Sequence, residues 1–157
     1  VFYICQMKYL KLILVFFFIY SCSTKEDPIN YVYSEKIDLA LNKLIINKNK
    51  WIESNINSYS MNIQFSCFCL GYDPYFVVIE ENSLSSVSGN EEWGYEGRPM
   101  TINDLFDVIE GKIIEDPFFY EITYNTEYGY PEYSYFDMVE MIADEEIGYI
   151  LTNFKQL

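Results

Sequence analysis

Cys67 and Cys69, two residues apart in Ser66-Cys67-Phe68-Cys69, are the thiols of this chain that lie inside a patterned segment. On an extended strand such residues point to one face with Cα atoms roughly 6.5–7 Å apart, the limit of what a disulfide spans without a local kink. The pair therefore reads either as a disulfide or as two buried thiols. A zinc site wants four ligands from Cys and His, and the chain has no histidine. The CxxC spacing of thioredoxin-type redox centres is absent as well. The missing histidine also removes Ser-His-Asp and Cys-His nucleophiles and histidine acid–base catalysis. A carboxylate pair could still hydrolyse a glycoside, and Glu80, Glu81, Asp137, Asp144, Glu145 and Glu146 are the candidates. Calcium needs only oxygen ligands, and Asp137 with Asp144-Glu145-Glu146 supplies them, although no EF-hand spacing occurs. With so many acids close pairs arise by chance, so the reading is of no enzyme, no cofactor and no resident metal. The last third of the chain is crowded with tyrosines, among which Tyr130, Tyr133 and Tyr135 are the candidate binding surface. Tyrosine offers a partner both apolar area and a hydrogen-bonding tip.

These groups are preceded by an export-like leader. Lys8 and Lys11 form a short basic start after Met7, the expected true start, and Leu12 to Tyr20 is an apolar run. Even Leu10 to Tyr20 is far shorter than the roughly 20 residues that a bilayer core demands. The tetrapeptide Ile19-Tyr20-Ser21-Cys22 resembles a bacterial lipobox. The resemblance implies a diacylglyceryl thioether on Cys22, cleavage after Ser21, and acylation of the new amino terminus by palmitate-class chains. Several such chains bury tens of methylenes at about 0.8 kcal/mol each, which makes a stable anchor. Residues 1–21 are thus expected to be a signal peptide, 22–33 the lipidated cysteine and its tether, and 34–157 one domain. Serine after the cysteine resembles outer-membrane sorting, and Ser23-Thr24-Lys25-Glu26-Asp27 resembles the acidic tags that send lipoproteins of Bacteroidetes-type bacteria to the cell surface.

Charge narrows the partners. The formal net charge is −14, and −16 once Lys8 and Lys11 are removed. Cys22 to Lys50 holds five lysines against four acids, whereas Trp51 to Leu157 holds three cations against twenty acids, a net −17. A surface of that sign repels phosphate backbones, so nucleic acid is excluded as a partner.

The elements that must position the candidate residues follow from periodicity. Ile37, Leu41, Leu44, Ile45, Trp51 and Ile52 recur at helical spacing behind Ser34, a good N-cap, which predicts a helix over 35–54. Tyr59 to Cys69 alternates as a half-buried strand. Tyr75 to Glu80 reads as a continuously apolar strand, turning at Glu81-Asn82 into a returning strand, Ser83 to Ser88. Thr101 and Asp104 form a variant capping box for a helix whose apolar face is Ile102, Leu105, Phe106, Ile109 and Ile113, and Pro117 stops it. Phe119–Asn125, Glu132–Asp137 and Ile147–Phe154 read as three more strands. The result is an α+β fold, a mainly antiparallel sheet of five to six strands with two helices on one face.

Trp51, Tyr59-Ser60 leading to Cys67-Phe68-Cys69, Leu105-Phe106-Asp107, Tyr124 before Tyr128-Gly129-Tyr130-Pro131, Asp137, and Asp144-Glu145-Glu146 before Tyr149 together resemble a family of small secreted bacterial domains of unknown function, often lipoproteins. The likeness spans roughly Trp51 to Phe154. It implies a fold and an envelope location but no mechanism. Hairpin turns in that family tend to carry glycine where this chain has Asn82. The combined reading is a lipid-anchored extracytoplasmic protein that binds a protein or glycan partner. The alternatives are a carboxylate-dependent, glycosidase-like hydrolase and a purely structural envelope lipoprotein.

Overall fold

Ser34 begins the first described helix as its cap: its backbone is extended and its hydroxyl accepts from the Ile37 N–H at 3.4 Å. The computed structural model describes residues 34–67, 73–89, 95, 97–142 and 144–157. The leader, Cys22, the tether and Cys69 lie outside the described residues. Helix α1 runs Glu35–Glu53 and buries Ile37, Ala40, Leu44 and Trp51. Ile45 and Ile52, expected on the core face, are 51% and 60% exposed. At 100° per residue they lie on the flank opposite Ala40, which is buried at 6% exposure.

Strand β1, Tyr59–Cys67, alternates as expected, with Tyr59, Met61 and Ile63 fully inside. Strand β2, Tyr75–Glu80, follows. It buries Tyr75, Val77 and Ile79 but leaves Phe76 40% exposed, so it is half-buried rather than apolar on both faces. Glu81 and Asn82 both have positive φ, 48° and 62°, and form the tight turn into β3, Ser83–Ser88. Helix α2, Ile102–Ile114, has the full capping box: Thr101 Oγ1 accepts from the Asp104 N–H, and the Asp104 carboxylate accepts from the Thr101 N–H. Strands β4 (Phe119–Tyr124), β5 (Pro131–Asp137) and β6 (Ile147–Gln156) complete the chain order.

The six described strands form one antiparallel sheet in the order β3-β2-β1-β6-β5-β4. The two meanders, β1 to β3 and β4 to β6, meet along β1 and β6. Both helices pack on one face. Tyr59 on β1 accepts from the Ile102 N–H of α2, Trp51 of α1 meets Tyr59 edge-on, and Phe106 of α2 stacks on Tyr124 of β4. The α+β expectation, with its antiparallel sheet, holds. Near the end of α1, Gly129 (φ 83°) brings the β4–β5 loop so close that a Cβ there would sit 2.5 Å from the Asn47 carbonyl oxygen and 2.9 Å from Lys50 Cβ. Only glycine fits that approach and that φ.

Candidate functional site

Alternation along the strands settles which side chains face away from the helices. Since Tyr59, Met61 and Ile63 point to the core, Ser60, Asn62, Gln64 and Ser66 point outward, and register carries the same face across the sheet. One row runs Ser66, Gly148, Tyr135, Glu121, and the next runs Gln64, Ile150, Tyr133, Thr123. No described helix covers this face. Phe119, half exposed, lies one row beyond Tyr135, with ring centroids 6.2 Å apart. Phe119, Tyr135 and Tyr133 form an aromatic strip on β4 and β5. Gly148 interrupts the side chains beside it, because a Cβ there would meet the Ser134 carbonyl oxygen at 2.8 Å. Gly148 is itself buried, so the backbones of β5 and β6 pack closely beside the strip.

Of the three tyrosines expected to form a surface, Tyr133 and Tyr135 lie on this strip and Tyr130 does not. Tyr130 is only 7% exposed, packed in the core against Phe154 at 4.6 Å and edge-on to Trp51 at 6.2 Å. Its even position, just before β5 begins, puts it on the opposite side of the sheet from Tyr133 and Tyr135. The Tyr135 hydroxyl has its pKa raised, first by burial and then by the charges of Glu146 and Asp137.

The calcium candidates Asp137, Asp144, Glu145 and Glu146 are not gathered into a cation site; among the described residues no three metal-ligating side chains converge. Glu145 and Glu146 serve their own loop instead, while Asp137 Oδ1 is buried with no hydrogen-bond partner among the described residues. Glu145 Oε1 accepts from the Val139 N–H at 2.5 Å and Glu146 Oε2 from the Asp144 N–H at 3.1 Å. The carboxylates considered for hydrolysis fall into two separate groups. Glu80 and Glu81 lie where β2 turns to β3, beyond the Tyr59 end of β1, whereas Asp137 and the turn 144–146 lie at the Cys67 end. Cys67 is disulfide-bonded, and Cys69 lies outside the described residues.

Sequence reasoning missed Arg98, the one arginine of the chain. Its guanidinium sits 5.7 Å from the Phe65 ring and 5.8 Å from the Tyr75 ring, and its charge opposes the burial that raises the Tyr149 pKa. No periodic pattern marks a loop cation of this kind.

Two buried tyrosines supply a pH test of this packing. Burial, opposed by the hydrogen bond from the Ile102 N–H, pushes Tyr59 up to about 12, and burial with the Glu132 charge pushes Tyr130 up to about 12. Both are raised above the unfolded value of about 10. The stability they contribute is therefore complete below about pH 10 and is lost as pH rises from there toward 12. Denaturant midpoints should hold steady up to about pH 9.5 and fall beyond it, and Tyr130→Phe should flatten the fall. Superimposable pH profiles for the wild type and Tyr130→Phe would show that Tyr130 titrates normally in the folded state.

A family model described as a family of unknown function (DUF6174) matches residues 43–156, which is most of the chain. No curated protein and no solved structure matches.

Proposed function

We propose that this chain, which belongs to the family of unknown function DUF6174, is a binding protein held at the cell envelope by lipid on Cys22. It would engage a protein or glycan partner through the strip Phe119, Tyr135 and Tyr133. The observation that carries the reading is the aromatic strip on a sheet face that no described helix covers. Aromatic rings held on a rigid sheet offer a partner apolar area and hydrogen-bonding tips with little conformational freedom to lose. The leader Met7 to Ser21 and the junction Ser21-Cys22 support the anchor.

Two experiments separate the parts of this reading. Radiolabelled palmitate should label the wild-type chain in cells and leave Cys22→Ala unlabelled; a wild-type chain without label would remove the anchor. Against arrayed bacterial glycans and envelope proteins, Tyr133→Ala/Tyr135→Ala should bind its partner at least about tenfold more weakly, with little change in thermal midpoint. Equal capture by the variant and the wild type would take the binding surface away from this strip.

A further inference from the structure

The geometry points to a second site: a groove along the free edge of β4 that takes an extended, acidic peptide as an added strand. It stands independently of the aromatic strip and of the anchor.

Strand β4 ends the sheet of described strands, so among the described residues one row of its backbone groups has no strand beyond it. The Phe118 N–H donates to the Met138 carbonyl. Ladder bonds recur at every second residue, so Tyr120 and Ile122 carry the bonds to β5. The N–H and C=O groups of Phe119, Glu121 and Thr123 then face off the edge. They form a short template for another strand.

The edge also has a wall. On the helix side, Leu39, Ala40 and Lys43 of α1 and Tyr120, Ile122 and Tyr124 of β4 enclose a hollow of about 180 Å³. It adjoins a second, of about 430 Å³, that continues past Lys43 to Asn47 and Lys50. A strand added to β4 would send every second side chain into these hollows. Leu39 and Ile46, 71% and 67% exposed, offer further apolar area on the outer flank of α1.

Charge names the occupant. Lys36, Lys43 and Lys50 recur every seven residues, which is close to two helical turns, so they form one stripe along the groove. The Lys36 ammonium lies 5.3 Å from the Tyr120 ring centroid and that of Lys43 lies 5.8 Å from Tyr124, while Lys50 donates to the Thr126 carbonyl. Among the described residues neither Lys43 nor Lys50 forms an ion pair. Elsewhere the excess of acids repels an acidic segment, and here the stripe attracts it. Lysines near an edge often serve only to discourage strand pairing. Such guards need no hollow behind them, whereas these lean over tyrosine rings that wall one. The opposite edge, β3, is exposed along almost its whole length and carries no lysine.

The test is calorimetric titration of the full, detergent-solubilised chain with a synthetic octapeptide that alternates glutamate and valine. The wild type should bind it, and Lys43→Glu should raise the Kd roughly tenfold or more. N-methylation of alternate peptide amides should do the same without touching the protein, because it removes the edge hydrogen bonds. A peptide with lysine in place of glutamate should bind Lys43→Glu more tightly than it binds the wild type. Failure of the acidic peptide to bind the wild-type chain overturns the site, and so does a Kd indifferent to both peptide charge and N-methylation.

Discussion

Replacing Trp51 with alanine should cost about 3–5 kcal/mol of folding stability, a large share of the roughly 5–15 kcal/mol that holds a domain together. Trp51 is 5% exposed at the end of α1 and is ringed by three aromatic partners. Tyr59 lies 5.4 Å away, Phe154 6.1 Å and Tyr130 6.2 Å, all edge-on. Those partners come from β1, from β6 and from the loop before β5, so truncation opens a hole where one helix meets both meanders. Aromatic contacts of this geometry are each worth about 0.5–1.5 kcal/mol beyond area burial, and alanine keeps none of them. Denaturant unfolding followed by far-ultraviolet circular dichroism measures the loss. Ile45→Ala, on an exposed part of the same helix, should stay within about 0.5 kcal/mol of wild type. A loss below about 1 kcal/mol for Trp51→Ala would mean that this cluster does not anchor α1.

Gly129→Ala should also be severe, through backbone rather than side-chain packing. At φ 83° an alanine pays about 1–2 kcal/mol for the left-handed conformation alone. Its Cβ would in addition be driven to 2.5 Å from the Asn47 carbonyl oxygen, a helix backbone atom that cannot swing aside. Overpacking of that kind adds roughly 1–3 kcal/mol, so the expected total is about 2–5 kcal/mol. Gly111→Ala provides a control of opposite sign. Gly111 lies inside α2 with nothing within 4 Å of a Cβ, and alanine there should stabilise by about 0.5–1 kcal/mol. A Gly129→Ala chain as stable as wild type would show that the β4–β5 loop can move off α1.

Local signals in the sequence carried local structure well. Ser34, and Thr101 with Asp104, cap helices because a hydroxyl beside an apolar repeat satisfies the first free N–H groups wherever it occurs. Glu81-Asn82 turns because asparagine tolerates positive φ, and the alternation of β1 is a property of nine consecutive residues. Faces that depend on a neighbour were harder to read. Ile45 and Ile52 suit a core by type, but the buried line of α1 runs through Ile37, Ala40, Leu44 and Trp51. Tyr130 looked like part of a surface row because its parity relative to Tyr133 carries meaning only once the start of β5 is known. The lysines at 36, 43 and 50 were visible as charge without a direction. Their role depends on β4 being an edge, and strand order is decided by pairings distant in sequence. Arg98 left no periodic trace at all, since its position over Phe65 and Tyr75 joins a loop to two strands.

The place of β6 bears on how the domain is made. Of the six described strands it leaves the ribosome after the other five, yet it lies between β1 and β5 and joins the two meanders. Before it emerges, β1 and β5 each present an unpaired inner edge, and Tyr59 and Trp51 have no Phe154 to close over them. The first three strands can find one another early, but the halves cannot join until synthesis has passed Ile147. Assembly therefore waits on pairing between residues as far apart as Tyr59 and Gln156, and such long loops close slowly. A domain whose two halves join only through β6 stays open for most of its synthesis. It also depends, for that interval, on something to keep two sticky strand edges from meeting those of another copy.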